Sequence, residues 1–205
     1  MATVTPAQIS SVLKAGAVIY FAPVGEARPA ATVLAGEDWG GDWEPMGLTS
    51  APLVIKHEEE VSELFVEQFP TAVKRNRTSR ALSFETTLAE MTADNVALVL
   101  NGTKLADVAA TASAFGYEAA DIGGELCSGI AEYAIGFEGV SCDPTDGQLP
   151  VRWFLYRATI TLNGDIPFSQ HSDDYAGFPF LAQALADPTT GKMAYFQRAT
   201  AAPTG

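Results

Sequence analysis

Cysteine, histidine and positive charge are all scarce in this 205-residue chain. Its two cysteines, Cys127 and Cys142, lie at a separation that fits no redox or zinc motif, so they read as two buried or free thiols. The two histidines, His57 and His171, fall short of the three or four converging ligands of a usual metal site. His57 runs into Glu58, Glu59 and Glu60, which is not the zinc-protease pattern, and His171 near Asp173 and Asp174 reads as a solvated turn. There is no nucleophile elbow, no P-loop and no glycine-rich dinucleotide fingerprint. No cofactor, no metal and no enzymatic activity are expected. Twelve basic residues face 25 acidic ones, and a net charge of −13 repels nucleic acid. Charged residues make up only 18%, below the usual figure of about 25%, which leaves much weakly polar surface for partners to cover. The apolar run at 15–24 is too short to cross a membrane and ends at Pro23 and Gly25. Only Lys14 precedes it as a basic residue, so no export signal is expected.

What is present is a chain of strand patterns. Length allows one large domain or two small ones, and a single domain over 1–205 is expected, with 1–16 as an N-terminal arm. Thr5-Pro6 predicts a short N-terminal helix ending at Gly16, and 17–22 (AVIYFA) predicts a strand. Gly and Pro break 25–47 into a loop that carries Trp39 and Trp43 among acidic residues. Two readings of these tryptophans stand side by side: interface anchors, or pins holding the loop on the domain's own core.

Residues 53–69 contain no Gly or Pro and mix two periods. They predict one long strand, or two with a bulge, apolar on both faces near its end. A second strand at 81–88 alternates Leu82, Phe84 and Leu88 with Ser83, Glu85 and Thr87. Between them lies a basic cluster, Lys74, Arg75, Arg77 and Arg80, expected in the loop of a long hairpin. Thr92 predicts a helix N-cap, with Asp94 in the first turn and Asn101-Gly102 as the stop. Residues 102–129 are rich in Ala and Gly and weakly patterned. Further strands are predicted at 131–139, 151–163, 177–186 and 193–199, with a turn at Asp146-Gly147. In 151–163, Phe154, Tyr156, Ala158, Ile160 and Leu162 are expected to share a face. The pattern as a whole predicts a mainly β fold: an antiparallel β-sandwich or barrel with one packed short helix and a long hairpin.

The order of these features resembles the tail tube (major tail) proteins of long-tailed bacteriophages. Trp43-Glu44-Pro45-Met46-Gly47-Leu48-Thr49 resembles the family's W-x-x-x-G-x-T lead-in to the first long strand. Residues 54–69 followed by 82–88 resemble its long hairpin. Leu88-Ala89-Glu90-Met91-Thr92 through Leu100 resembles its L-x-E-x-T approach to a short helix. Phe178-Pro179-Phe180 through Asp187-Pro188 resembles its closing strand and A-L-x-D-P turn. The resemblance spans about 17–199 and leaves 102–129, the 25–43 loop and the N-terminal segment unaligned. It implies a virion protein, assembled in the host cytoplasm, whose hexameric rings stack into a tube that conducts the genome. It also implies contact with tape-measure, tail terminator and distal tail proteins. Under that reading Glu58, Glu59, Glu60, Glu63 and Glu67 are candidates for an acidic lumen. Lys74, Arg75, Arg77 and Arg80, with Trp39 and Trp43, are candidates for subunit or ring contacts.

Three other readings compete. A secreted sugar-binding or adhesin-like β-sandwich would stack ligand on Trp39 and Trp43. An enzyme would need a glutamate of 58–67 in a pocket that raises its pKa. Another tail protein, such as a terminator ring, would share most of the pattern.

Overall fold

The computed structural model describes residues 13–123, 129–143, 147–166 and 177–201. Expectations about the helix over 5–12, Cys127, Asp146 and the His171 turn lie outside them. Ten strands and one helix are described: β1 (Leu13–Pro23), β2 (Glu44–Pro45), β3 (Val54–Leu64), β4 (Lys74–Leu88), α1 (Ala93–Val99), β5 (Thr103–Lys104), β6 (Ala120–Asp121), β7 (Glu132–Asp143), β8 (Gly147–Leu162), β9 (Phe178–Ala184) and β10 (Ala194–Arg198). Every strand pairing is antiparallel. The main sheet runs β2-β1-β7-β8-β9-β4-β3, with β10 also on β8; β5 and β6 form a separate two-stranded ladder. The sheet does not close. The fold is a mainly antiparallel β-sandwich with one helix.

The spine is β8. Along one edge it pairs with β7; along the other it pairs with β10 at Val151–Leu155 and then with β9 at Ala158–Leu162. Where the neighbour changes, β8 uses three residue steps, Leu155 to Ala158, against two of β7, Tyr133 to Ile135. This bulge reverses the side-chain phase. Leu155, Ala158 and Ile160 therefore share one face and join the main core, while Phe154 lies in a second core. The expected single face from Phe154 to Leu162 is thus split. Beyond the bulge the sheet folds back, and Phe84 of β4 meets Phe137 of β7 edge-on across the core, ring centroids 5.0 Å apart.

Helix α1 caps this core with Leu98 and Val99. Thr92 is the N-cap, its hydroxyl accepting from the Asn95 amide, and Asp94 complements the dipole in the first turn. Asn101 takes the left-handed conformation at φ 53°, which ends the helix. The buried Asn95 amide donates to the carbonyls of Met46 and Glu90, holding the chain before β3 against the helix.

The second core lies on the opposite face of β1, β7 and β8 and is covered by the 25–43 loop. Trp39 stacks on Tyr20 at 4.1 Å and meets Trp43 edge-on at 5.2 Å. Both tryptophans are buried, 4% and 6% exposed, and the Trp43 indole N–H donates to Ala27 O. In the single chain both rings pack against its own sheet. A Cβ at Gly136 would collide with the Trp39 ring, so glycine at that point of β7 makes the seat. Burial, reinforced by Glu138, pushes the Tyr20 phenol above the ordinary tyrosine pKa.

Two further expectations are corrected. Leu13 and Lys14, expected near the end of a helix, pair with Ser141 and Val140 of β7; tertiary pairing overrides the local helix pattern. The 25–47 loop contributes a short strand, since Glu44 and Pro45 pair with Phe21 and Tyr20.

Candidate functional site: the projecting ribbon

β4 leaves the body at Ser83. From Ser83 to Leu88 it is held by β9; from Lys74 to Leu82, among the described residues, only β3 pairs with it. At about 3.4 Å per residue, the β3–β4 ribbon projects on the order of 30 Å. All of β3 is exposed. The ribbon thus has two open edges with unpaired backbone groups, a template for further strand pairing. A lone two-stranded hairpin is marginal in water. Here Val61, Leu64, Phe65 and Phe69 are each at least half exposed, near the ribbon's end.

The basic cluster lies on β4 rather than in the connecting loop, which corrects the expectation. Cross-strand charge explains it. The Arg75 guanidinium meets Glu63 at 2.7 Å, and Glu59 receives Arg77 at 2.9 Å and Arg80 at 3.4 Å, with His57 at 3.3 Å. A bulge makes this possible. Glu60 pairs with Ser79 but Val61 pairs with Arg77, so β4 carries one extra residue at Thr78. Without it, alternation would put Arg75 and Arg77 on one face and Arg80 on the other.

The register sorts the candidate glutamates. Ile55 pairs with Phe84, whose ring is buried in the core, so the ribbon face of Ile55, His57, Glu59, Val61 and Glu63 continues the core side of the sheet. Glu58 and Glu60 lie on the other face with Ala81 and Ser79 opposite. Among the described residues neither makes an ion pair. On that face Lys56 pairs with Glu85 at 2.6 Å, and Lys74 stands opposite Leu64 near the tip. Its charges sum negative, while the three arginines outnumber Glu59 and Glu63 on the core-side face. Glu67 lies beyond β3, in the turn segment closed by Val73 N–H to Leu64 O.

A second charged cluster escaped the sequence reading. Arg152 and Glu138 are cross-strand partners 2.5 Å apart, 1% and 4% exposed. The Arg152 guanidinium also donates to Val33 O at 2.7 Å and Leu34 O at 3.3 Å, and Glu138 accepts from the Gly36 amide at 2.6 Å. The pair thereby ties the 25–43 loop to the sheet. The signal was present: Arg152 interrupts an apolar run from Val151 to Leu155, where a charge needs a buried partner. Among the described residues no group of three His, Cys, Asp or Glu side chains converges as a metal site.

A stable β body with an uncompleted ribbon defines a subunit, a protein finished by assembly with others. The family model for phage tail tube protein matches residues 6–204, and the chain belongs to that family. It is a structural protein of the bacteriophage tail, assembling with itself and with other tail proteins. None of the curated proteins compared with it matches.

Proposed function

We propose that the chain forms hexameric rings, that the rings stack into the tail tube, and that the tube conducts the genome during infection. The carrying observation is the β3–β4 ribbon, with two open edges and exposed apolar side chains on an otherwise well-packed body. Ribbons of neighbouring copies pair edge to edge into a shared barrel, which satisfies their backbone groups and turns Val61 to the wall that adjacent subunits cover. Glu58 and Glu60 face the lumen. Glu59 and Glu63 are neutralised by arginine on the opposite face, where the surplus guanidinium charge meets carboxylates of an adjacent subunit. Duplex DNA carries about one negative charge per 1.7 Å, so a lining of Glu58 and Glu60 lets it slide where a basic lining would hold it. Salt screens beyond about 8 Å, so this repulsion acts at close approach. Assembly takes place in the host cytoplasm, with tape-measure, terminator and distal tail proteins as neighbours. The whole of 1–205 serves as one tail-tube domain without enzymatic activity.

Electron microscopy of the purified chain tests this. Rings or tubes are expected. A strict monomer that also fails to enter tails when supplied to a defective phage would overturn the assembly. A tube whose lumen is net basic, or whose Glu58 and Glu60 lie on the outer wall, would overturn the conduit.

A further inference from the structure

Residues 103–121 form a slender arm. Its root is the β5–β6 ladder beside α1. Above the root, Leu105 N–H donates to Ala119 O, Val108 and Tyr117 exchange both backbone bonds at 2.9 Å, and Thr111 N–H closes the tip on Ala114 O. Gly116 has no room for a Cβ, which would stand 2.8 Å from Ala110 N and 2.9 Å from Val108 O. The arm's backbone is therefore set before any contact forms, and a preformed tip loses little entropy on docking. At this tip Phe115 is 94% exposed, the most exposed large apolar side chain among the described residues. Burying a phenylalanine from water is worth about 1.5–3 kcal/mol. Nothing among the described residues covers it.

On the opposite face of the sheet lies a groove of about 700 Å³ between the 24–31 segment and β8–β10. Its lining includes Trp43, Phe154, Tyr195 and Arg28 together with Glu26 and Asp187, and its volume is within the roughly 300–1,000 Å³ of ligand-binding pockets. The Arg28 guanidinium sits 3.9 Å over the Tyr195 ring and has no carboxylate within ion-pair distance among the described residues. The arm's own charges are engaged at its root, where Lys104 lies 3.7 Å from Asp107 and Glu118 accepts from the Ala93 amide, so its tip presents the Phe115 ring rather than charge.

We propose that the Phe115 ring docks among the aromatic side chains of the groove of a second copy, since the chain assembles with itself. The arm stands beside α1, on the main-core face, whereas the groove opens on the Trp43 face, so a molecule does not fill its own groove. A knob on one face and a hole on the other make a head-to-tail contact, the kind that closes rings or extends filaments. The contact lies outside the ribbon and rests on the self-assembly proposed above.

The test uses the purified full chain alone, so that another copy is the only macromolecular partner. A benzophenone analogue of phenylalanine is placed at position 115, and assembled material is photolysed and mapped by mass spectrometry. Cross-links from the arm to residues 24–31 or to β10 of another copy are expected. Phe115→Ala and Tyr195→Ala should each reduce assembly about tenfold, the scale of one hot-spot side chain, while circular dichroism shows a folded subunit. If wild-type rings or tubes form but position 115 cross-links elsewhere, only within its own copy, or not at all, the docking is overturned and the tube reading stands. If the wild-type chain never assembles, both are overturned.

Discussion

The body of the sheet and the β3–β4 ribbon use the same pairing, arginine against glutamate across neighbouring antiparallel strands, in opposite surroundings. In the body, Arg152 and Glu138 are sealed under the 25–43 loop, and their remaining hydrogen-bonding groups are taken by loop carbonyls and an amide. On the ribbon, Arg75, Arg77 and Arg80 keep 47–73% of their side chains exposed beside Glu59 and Glu63. A buried pair is costly to break because the surviving charge has no water, whereas an exposed pair contributes only about 0–1 kcal/mol. The body's pair therefore fixes where a loop sits. The ribbon's pairs, weak one by one, hold a register and present charge to whatever lies beside them.

The largest effect is expected from Glu138→Ala, which leaves the Arg152 charge buried and unpaired. A destabilisation of about 3–5 kcal/mol is expected in urea unfolding. Tryptophan emission should shift as Trp39 and Trp43 lose their cover. A loss under about 1 kcal/mol would mean that the loop holds without the pair, and the contrast with the ribbon would collapse.

Next comes Gly136→Ala. Its Cβ is driven into the Trp39 ring, and overpacking of this kind costs about 1–3 kcal/mol. Pairing it with Trp39→Phe should recover part of that cost, since the smaller ring vacates the space; strict additivity in the double-mutant cycle would place the strain elsewhere.

On the ribbon the expectation inverts. Reversing Arg75 and Arg77 to Glu should change the subunit's unfolding free energy by no more than about 1 kcal/mol per lost pair, plus a comparable repulsion. Tube formation seen by electron microscopy should nevertheless be lost, while circular dichroism stays native. Normal tubes from this double reversal would show that the cluster is no assembly contact. Because the three guanidinium groups already engage Glu59 and Glu63 of their own chain, the reversal also removes intrachain pairs from the ribbon. Comparing it with Glu59→Gln separates that effect, since Glu59→Gln disturbs the ladder without reversing its charge.

Much of the architecture was legible because local chemistry and tertiary structure agreed. The Thr92 cap, the Asn101 stop and the alternation through Leu82, Phe84 and Leu88 all rest on rules that act within a few residues. The family resemblance was carried by segments on both sides of the core, from Trp43 to Thr49 and from Phe178 to Pro188. The failures share a cause as well. Bulges at Thr78 and in β8 between Leu155 and Ala158 shift phase by one residue, and period-2 reasoning cannot locate a bulge without the partner strand. Period 2 therefore puts Phe154 on the face of Ile160, while the run of charge after Pro70 reads as a loop because its glutamate partners lie on the other strand. The tryptophans were ambiguous because acidic neighbours suggest exposure. Alternation in this loop in fact buries the rings and leaves Asp38, Asp42 and Glu44 exposed.

The smallest expected effect lies at the body's surface and is read by pH. The Arg157 guanidinium forks onto Glu132, Nη2 to Oε1 at 2.8 Å, and this hydrogen bonding holds the Glu132 carboxyl below its ordinary pKa. Asp187 is likewise held down, first by the Thr190 hydroxyl at 2.5 Å and then by the Thr189 and Thr190 amides. In the unfolded chain both carboxyls return to about 4. Between that value and the depressed ones the unfolded state binds more protons than the folded state, so stability falls as pH falls. Their contribution is complete above about pH 5 and disappears through the depressed pKa values. Both groups are partly exposed and screened by solvent, so the contribution is small. Glu132→Gln and Asp187→Asn should each be less stable than wild type at pH 7 and converge on it as the solution is acidified, in urea melts followed by circular dichroism. A difference from wild type that stays constant from pH 7 down to pH 2 would show that the side chains act by packing or turn geometry rather than by charge. Glu132 would then owe its place to the same steric fit that seats its neighbours in β7, and not to Arg157.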